Sequence, residues 1–350
     1  MTAPDSGGGV SAEELAAVEA AVDDVLGDRS DPAGEGYDAG LWSALAGAGL
    51  TAVGLPEARA GSGGSLTAAV RIAVRAGAFA ARVPLADSSL VAGWLLTAAG
   101  LDLPAGPVTT GTGSVRSDGG RIVGSLTRVP YARDADRLVV LADDGRVACL
   151  DPASCTVTPG RNLADEPRDE VAFDAPAAES GHVDPAAAQE LRLRGALARS
   201  AQIAGSVSRV QQMVVTYAQQ REQFGRPIGR FQAVQHHTAT LVCEVAAASA
   251  AVDGATATWQ AHGPTSPRTF FAVAAAKVRT AQAAGLVAAI AHQVHGAIGM
   301  TDEHPLHSWT TRLWSWRTEW GGEAIWSQHL AERATAAGRE HLWALVESAS

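Results

Sequence analysis

The chain has 350 residues, of which 47% are hydrophobic, and a formal net charge of −10. This length allows two or three domains, and the acidic balance disfavours nucleic-acid binding, which needs clustered cations. Cys149, Cys155 and Cys243 form no C-x-x-C pair or metal-spaced cluster, so we expect reduced thiols and no bound metal. The N-terminus lacks signal-peptide features, and we expect no stretch to approach the ~20 apolar residues of a membrane helix. The sequence therefore predicts a cytoplasmic protein that binds neither nucleic acid nor a membrane.

The first half of the chain is predicted to hold an N-terminal helical domain, residues 1–103, and then a small β domain, residues 104–183. Residues 1–10 are small and polar, and we expect them to be disordered. A helix opens at Ser11, where Glu14 completes an S-x-x-E capping box. Further on, short β-branched runs are separated by turn sequences such as SDGG and ADDG. Such runs indicate an antiparallel β domain.

Residues 184–350 are predicted to form a C-terminal four-helix bundle. Asp184-Pro185 supplies an N-cap and a proline at the first helical position. Apolar residues then recur every three or four positions from Ile203 to Tyr217, which makes one face of a helix. Three further helices are expected, one from Phe231, one over Phe270–Val294 and one over Trp309–Leu345. The fold class is therefore mainly α with a small β domain, ending in an antiparallel bundle.

An arginine-rich turn joins the first two bundle helices. It reads R-E-Q-F-G-R-P-I-G-R-F-Q from Arg221 to Gln232, and Arg226 and Arg230 lie near Phe224 within it. Guanidinium groups suit bidentate binding of phosphate, and a phenylalanine can cover a ring. On these residues alone, a helix–helix corner with solvated arginines is the simpler interpretation.

A glycine-containing segment follows the third bundle helix. It begins at Gln293 and reads Q-V-H-G-A-I-G-M-T-D-E-H-P. Gly296 and Gly299 allow a backbone to approach a ligand closely, although a helix C-cap explains them equally well. His292 and His295 lie three residues apart without a third ligand at metal spacing, so a metal site is disfavoured.

Together, these two segments resemble the C-terminal domain of the acyl-CoA dehydrogenase family. A third segment, LWSALAGAGLTAVGLPEARAGSGGS at 41–65, is similar to the family's N-terminal A-x-x-G-L…P-E-x-x-G-G pattern. The resemblance covers about residues 11–335. It implies a tetramer of subunits, each with a helical domain, a β domain and a helical bundle. It also implies FAD-dependent α,β-dehydrogenation of an acyl-CoA thioester, in which a carboxylate base removes the α-proton.

The resemblance assigns contacts with FAD to both C-terminal segments. In the family, an arginine and a phenylalanine of the first segment meet the pyrophosphate and adenosine side of FAD, and a glutamine lies nearby. The second segment corresponds to the family's Q-x-x-G-G-x-G, with Ala297 in place of the second glycine. These groups reach FAD that is held mainly by the neighbouring subunit. The matching residues are Arg221, Phe224 and Gln232 in the first segment and Gln293, Gly296 and Gly299 in the second.

The half of the family site that binds the flavin ring differs in this sequence. The family's T-E-P-x-x-G-S-D segment is missing from the shorter stretch at 106–116. The family's K-x-W-I-[TS]-N-A-x-x-A-D segment aligns with 126–136, where Ala132, Ala135 and Asp136 are kept. Arg128 stands in place of the flavin-stacking tryptophan. Pro130, which has no hydroxyl and no N–H, stands in place of the hydroxyl donor.

The position of the carboxylate base also differs in this sequence. Trp320 aligns with the usual base of the family, and Glu319 and Glu323 flank it, so a one-residue slip would restore a carboxylate. The family's alternative base position, on the first bundle helix, holds Gly195, which cannot act as a base. Glu319 and Glu323 are therefore the candidates for the catalytic base.

The resemblance as a whole predicts a subunit of a heteromeric acyl-CoA dehydrogenase, with an α2β2 assembly. The partner, a second member of the family, would hold the flavin ring and the base, and this chain would hold the ADP side of FAD. Sterol side-chain dehydrogenases of this family are built in that way, so a bulky acyl-CoA is the implied substrate. Two alternatives stay open: a self-sufficient homotetramer that uses Glu319 or Glu323, and a structural subunit without flavin.

Overall fold

A computed structural model describes residues 11–301 and 303–338. Its N-terminal helices are α1 (Ala12–Arg29), α2 (Ala39–Gly47), α3 (Leu66–Ala78) and α4 (Gly93–Ala98), the last preceded by a π-helical segment, Asp87–Ala92. The capping box of α1 is confirmed, because the Glu14 N–H donates to the Ser11 hydroxyl at 3.2 Å and the Ser11 N–H donates to the Glu14 carboxylate at 2.7 Å. The disorder expected for residues 1–10 concerns residues outside the described part.

The β domain consists of two four-stranded sheets that share one apolar core. The first sheet has the order β1-β4-β5-β8, with β1 (Val108–Thr109), β4 (Arg137–Leu141), β5 (Arg146–Leu150) and β8 (Ser180–His182). The second has the order β2-β3-β7-β6, with β2 (Thr112–Asp118), β3 (Arg121–Pro130), β7 (Arg168–Pro176) and β6 (Thr156–Thr158). The strands pair antiparallel as expected, except that β1 runs parallel to β4. Ile122 and Phe173 of one sheet pack with Val140 of the other.

The C-terminal bundle is built around its first helix. Its helices are α5 (Ala187–Gln220), α6 (Gln232–His262), α7 (Pro267–His295), α8 (Leu306–Trp316) and α9 (Glu323–Ala337). A short hairpin of β9 (Glu222–Gln223) and β10 (Arg226–Pro227) joins α5 to α6. Helix α5 packs against α3, α6, α7 and α8. It therefore connects the N-terminal domain to the rest of the bundle.

Two bundle helices differ from the sequence-based expectation. Helix α5 begins after Ala186 rather than at Pro185, because the Asp184 carboxylate accepts the N–H of Ala186 at 2.8 Å and holds a turn ahead of the helix. The fourth helix is divided into α8 and α9, because Trp320 and Gly321 have positive φ angles of 57° and 96°. A left-handed backbone cannot continue a right-handed helix. The expected extension to Leu345 concerns residues outside the described part.

Helices α6 and α7 correct the expectation that no stretch is long and apolar enough for a membrane. The spans Gln232–His262 and Pro267–Met300 pass that test, with mean hydropathies of 1.2 and 1.3 in their most apolar windows. Core helices of soluble proteins also pass it, and half of the α7 window is buried inside the protein. Only 22% of the α6 window is buried, so α6 presents an apolar face that the described part of the chain leaves uncovered.

Candidate functional site

The residues predicted to contact FAD lie at one end of the bundle. Arg221 ends α5, and its backbone N–H donates to the Tyr217 carbonyl oxygen at 2.8 Å. Phe224 forms the turn of the β9–β10 hairpin with a φ of 50°, and its side chain is 91% exposed. Gln232, the first residue of α6, is also exposed. We call this region the corner, and it comprises Arg221, Phe224, Gln232, Gln293, Gly296 and Gly299.

Aromatic stacking brings the second predicted segment to the first. The ring of Tyr217 stacks on that of His295 with centroids 4.4 Å apart, and its hydroxyl donates to the His295 carbonyl oxygen at 3.3 Å. The ends of α5 and α7 are thereby joined. Gln293 and Gly296 are exposed there, and a Cβ on Gly296 would meet no heavy atom within 4 Å. Gly299 is buried, and a Cβ on it would lie 2.7 Å from the His295 Cβ, so it supports the segment rather than facing a ligand.

The corner fits the ADP side of FAD. Within the described residues, the Arg221 guanidinium has no hydrogen-bond or ion-pair partner, so its donors are available to a phosphate. Phe224 offers an exposed ring, and Gly296 leaves the backbone open to close approach.

A second group of polar residues lies buried where the three domains meet. Arg199 of α5 donates to Asp87 of the N-terminal domain at 2.8 Å and to Glu319 at 2.6 Å. Arg168 of β7 donates to the other oxygen of Glu319 at 2.8 Å. The Arg199 side chain is only 1% exposed, and those of Arg168, Asp87 and Glu319 are at most 10% exposed. Glu319 is therefore an internal ion rather than a free carboxylate.

The same network continues toward α8. Glu166 accepts from Arg168 at 3.0 Å, from Arg312 at 3.2 Å and from the Trp316 indole N–H at 2.8 Å. Three arginines thus balance three carboxylates, which is the condition under which buried charges are tolerated. We call this set the charge network. Its members are Asp87, Glu166, Arg168, Arg199, Arg312 and Glu319.

The ionisation of Glu319 follows from this network. Burial opposes the charged form, but the ion pairs with Arg168 and Arg199 outweigh it and lower the pKa of the Glu319 carboxyl to about 2. A general base works best with a pKa near the operating pH. The Glu319 carboxylate, already accepting from two guanidinium groups, is poorly suited to remove a proton from carbon.

The single lysine of the chain lies beside the network. Lys277 of α7 is fully buried, and its ammonium donates to the carbonyl oxygens of Trp316 and Arg317 at 3.0 and 3.3 Å, at the end of α8. Burial lowers the pKa of Lys277 to about 7. Lys277 therefore holds the start of the α8–α9 turn, which carries Glu319 and Trp320.

A cavity of about 730 Å³ opens between the β domain and the bundle. The β domain contributes Arg128 and Pro130 to its wall, and the bundle contributes Arg192, Trp320 and Ile325. The volume is typical of a small-molecule site. An adjoining cavity of about 440 Å³ shares Arg128 with it. We call the larger space the interdomain cavity.

The two sequence positions aligned with the base of the family meet at the wall of this cavity, where Trp320 lines the space and Gly195 is buried behind it. A Cβ on Gly195 would lie 2.1 Å from Cδ2 of the Trp320 indole, so the ring rests directly on the helix backbone at Gly195. The Trp326 indole N–H donates to the Trp320 carbonyl oxygen at 3.0 Å and fixes the left-handed turn. The Trp320 indole therefore occupies one of the two aligned base positions and covers the other, Gly195.

The positions aligned with the flavin-ring contacts also line this cavity. Arg128 lies in a β-bulge where the pairing of β3 and β7 shifts register, and its φ is 52°. Its backbone N–H donates to the exposed Glu170 carboxylate at 3.3 Å. The carbonyl oxygen of Pro130 accepts from the Thr109 hydroxyl at 2.6 Å. At these two positions the wall offers a guanidinium and a pyrrolidine ring, which do not fit the ring contacts expected from the family.

Glu323, the other candidate base, lies outside the interdomain cavity. It is the first residue of α9, it is exposed, and it accepts from the Gln282 amide at 2.9 Å. It is not among the residues that line the cavity.

Comparison with known proteins identifies the family. Residues 187–335 match the family described as acyl-CoA dehydrogenase, C-terminal domain. Acyl-CoA dehydrogenase IpdE2 of Mycobacterium tuberculosis is 32% identical over 285 residues, which cover 79% of this chain and 81% of that protein. The chain belongs to the acyl-CoA dehydrogenase family. Acyl-CoA dehydrogenase FadE27 of the same organism is 30% identical over 313 residues, which cover 77% of this chain and 81% of that protein.

Solved structures agree on the fold of this acyl-CoA dehydrogenase-family chain. The crystal structure of the ChsE4–ChsE5 complex from Mycobacterium tuberculosis matches with a TM-score of 0.83 and 24% identity, over 94% of this chain and 98% of that one. A variant of the Tcur3481–Tcur3483 steroid acyl-CoA dehydrogenase matches with a TM-score of 0.82 and 24% identity, over 93% and 99%. The predicted fold class is confirmed.

Sequence reasoning missed most of the charge network in this family member. Of its six residues, only Glu319 was singled out, and then as a base. Arg199 lies in a stretch of small and apolar residues of α5, and Lys277 is the only lysine in an arginine-rich chain. A charged residue inside an apolar helical run is a signal that it has a buried partner.

Proposed function

We propose that this chain is the non-catalytic subunit of a heteromeric, FAD-dependent acyl-CoA dehydrogenase. A partner subunit of the same family would hold the flavin ring and supply the base. This chain would hold the ADP side of the same FAD through the corner. When bound, FAD would supply the hydride-accepting chemistry of the α,β-dehydrogenation of an acyl-CoA thioester.

The contact between Trp320 and Gly195 is the observation that carries the proposal. The family alignment places the carboxylate at position 320 or at position 195, and here Trp320 packs on Gly195. A Cβ on Gly195 would lie 2.1 Å from the indole, so no side chain fits at position 195. Two carboxylates line the cavity, and neither lies at an aligned base position. Glu319 is held by two arginines, and Glu170 accepts from the Arg128 backbone N–H. The chain therefore lacks a carboxylate at either position where the family alignment places the base.

The corner supports the role given to this subunit. Five of its six residues are exposed, and the largest of them, Phe224, is 91% exposed. An aromatic side chain at a hairpin tip is costly to leave in water, so it is typical of a contact made in an assembly. Arg221 would pair with the pyrophosphate, and Gln232 and Gln293 would offer amide groups nearby.

The uncovered face of α6 and the related structures support a heteromeric assembly. Only 22% of the most apolar window of α6 is buried within the described part of the chain. The related solved structures are named as a ChsE4–ChsE5 complex and a Tcur3481–Tcur3483 steroid dehydrogenase. By analogy with these, we propose an α2β2 assembly in the cytoplasm and a bulky, steroid-like acyl group on the substrate. We expect an interface of more than ~2,000 Å².

Co-expression tests the proposal. The partner to use is a family member, encoded close by, that keeps the T-E-P…G-S-D and W-I-[TS] segments. The chain purified alone should lack the visible flavin absorbance, and the co-purified complex should hold one FAD per pair of chains. Dehydrogenation of an acyl-CoA should be seen only with the complex.

Each remaining alternative gives a different result in this experiment. A yellow, active chain without partner would establish the self-sufficient homotetramer. A complex that forms without flavin would establish the structural subunit.

A further inference from the structure

The interdomain cavity is large for a chain that has no catalytic use for it. Its volume is about 730 Å³, and the adjoining cavity adds about 440 Å³. Volumes of this size are typical of small-molecule sites. The Trp320 indole and the Ile325 side chain, 48% exposed, give this space an apolar wall. Such a wall beside open space is typical of a binding site for an organic molecule.

The charge around this space has the opposite sign to the charge of the chain. Five arginines and two glutamates line the two cavities, whereas the whole chain has a net charge of −10. Charged walls of one sign in a low-dielectric cleft concentrate ligands of the opposite sign. The lining arginines are Arg128, Arg161, Arg168, Arg192 and Arg199.

Two of these arginines have no carboxylate partner within the described residues. Arg168 and Arg199 are neutralised inside the charge network, and Arg161 faces Asp165 at 3.8 Å. The guanidinium of Arg128 has no partner within the described residues. Arg192, as far as the described residues show, contacts only the His329 ring, at 3.2 Å, and the face of Trp326.

The remaining carboxylate on the wall does not cancel this charge. Glu170 is exposed, and its described contact is with the backbone N–H of Arg128 rather than with the guanidinium.

We propose that the interdomain cavity binds an amphipathic organic acid and does not convert it. The carboxylate would be held by Arg128 and Arg192, and the apolar body would lie against Trp320 and Ile325. The absence of conversion rests on the proposed function, since Trp320 covers the base position. The site would make this subunit responsive to free acids that accompany the thioester substrate of the complex.

A matched pair of probes tests the chemistry of the site. 1-Pyrenebutyrate and 1-pyrenebutanol share a flat apolar body and differ in having a carboxylate or a neutral hydroxyl. Binding to the full chain is measured by equilibrium dialysis and pyrene absorbance. The acid should bind at one site per chain and about tenfold or more tightly than the alcohol, since each tenfold is ~1.4 kcal/mol and a charge-assisted hydrogen bond contributes at least that. Free coenzyme A, which has phosphates without this body, should not displace the acid.

Variants locate the binding in the interdomain cavity. Arg128→Gln and Arg192→Gln should each lower the preference for the acid over the alcohol several-fold, because each removes one cation and little volume. Thr127→Tyr, on the same wall, should weaken both probes because it fills the space. Arg116→Gln on β2, exposed and outside the lining, is the matched control and should change neither.

Equal affinities for acid and alcohol, unchanged preference in both arginine variants, or displacement by coenzyme A would each overturn the proposal. These results would leave the proposed function standing. Flavin absorbance in the chain purified alone, released by the pyrene acid, would instead show that the cavity is a flavin site and would refute both.

Discussion

The corner and the interdomain cavity differ in how far other groups of the chain already occupy their functional positions. At the corner, Arg221 and Phe224 are exposed; within the described residues the Arg221 guanidinium has no hydrogen-bond or ion-pair partner, and the Phe224 ring has an edge contact with Phe231. In the cavity, the catalytic positions are already filled, since Trp320 packs on Gly195 and Glu319 is paired with two arginines. Under the proposed function, this chain would contribute to a neighbour's cofactor through the corner, while packing and ion pairs occupy the base positions of its own cavity.

The largest effect is expected from opening the charge network. Glu319→Gln should destabilise the chain by about 3–5 kcal/mol, because Arg168 and Arg199 would keep buried charges with fewer partners. Chemical denaturation at pH 7 measures this, with the exposed Glu323→Gln as the matched control.

The pH dependence of this loss has a defined direction. The folded pKa of Glu319, about 2, lies below the unfolded value of about 4.3. Its stabilisation is therefore complete above the unfolded value and is lost as the pH falls toward 2. The difference in unfolding free energy between wild type and Glu319→Gln should become smaller as the pH falls. A difference in unfolding free energy that does not change with pH would contradict the ion-pair explanation.

The next effect concerns the corner. Arg221→Ala should weaken FAD binding to the deflavinated complex by about 10–150-fold, because a charge-assisted hydrogen bond contributes ~1.5–3 kcal/mol. FAD titration measures this, and size-exclusion chromatography checks that the complex is intact. Arg268→Ala, at the opposite end of the bundle, is the control. Unchanged affinity for FAD would make Arg221 a solvated helix-end residue and remove the functional contrast between corner and cavity.

The contact of Trp320 with Gly195 can be tested by overpacking. Gly195→Ala should cost about 1–3 kcal/mol, because the new methyl group cannot fit at 2.1 Å from the indole. The penalty should shrink in a Trp320→Ala background, and a double-mutant cycle of denaturation experiments measures the coupling. Gly254→Ala, at an exposed position in α6 with no heavy atom within 4 Å of the added Cβ, should be neutral or stabilising. If both glycine substitutions behaved alike, the indole would not rest on α5.

A smaller effect is expected from Lys277. Its folded pKa of about 7 lies below the ordinary value of 10.5, so the unfolded chain binds more protons between these values and stability rises with pH. The free energy of unfolding should rise by at most ~1.4 kcal/mol per pH unit. Lys277→Met removes the titrating group and should flatten the stability profile between pH 7 and 9. Parallel profiles for the two proteins would show that Lys277 does not titrate in this range.

The smallest effect is expected from Glu323. In the complex with its partner, Glu323→Gln should leave turnover within a few-fold of wild type, because this carboxylate is exposed and bonded to Gln282. Loss of a general base usually costs about 10²–10⁴ in rate. A loss of that size would restore the homotetramer as the better explanation.

The sequence by itself determined the family and the fold class, and it predicted the residues of the corner. Those residues were predicted from the family resemblance of two continuous segments, Arg221–Gln232 and Gln293–Gly299, whereas the meeting of the segments depends on the contact of Tyr217 with His295. The helices are readable from their apolar periodicity, and the capping box of α1 is complete within four residues. Local chemistry of this kind needs no knowledge of how distant elements pack.

Only the tertiary structure decided what Glu319 and Trp320 do. The partners of Glu319 are Arg168 and Arg199, more than a hundred positions away on a strand and on a different helix. Whether a carboxylate acts as a base or as an ion-pair partner depends on its burial and on the charges around it, and alignment reports neither. The packing of α5 against the α8–α9 turn brings Gly195 beneath Trp320. Because that contact joins distant elements, the loss of the base position becomes visible only once the bundle is assembled.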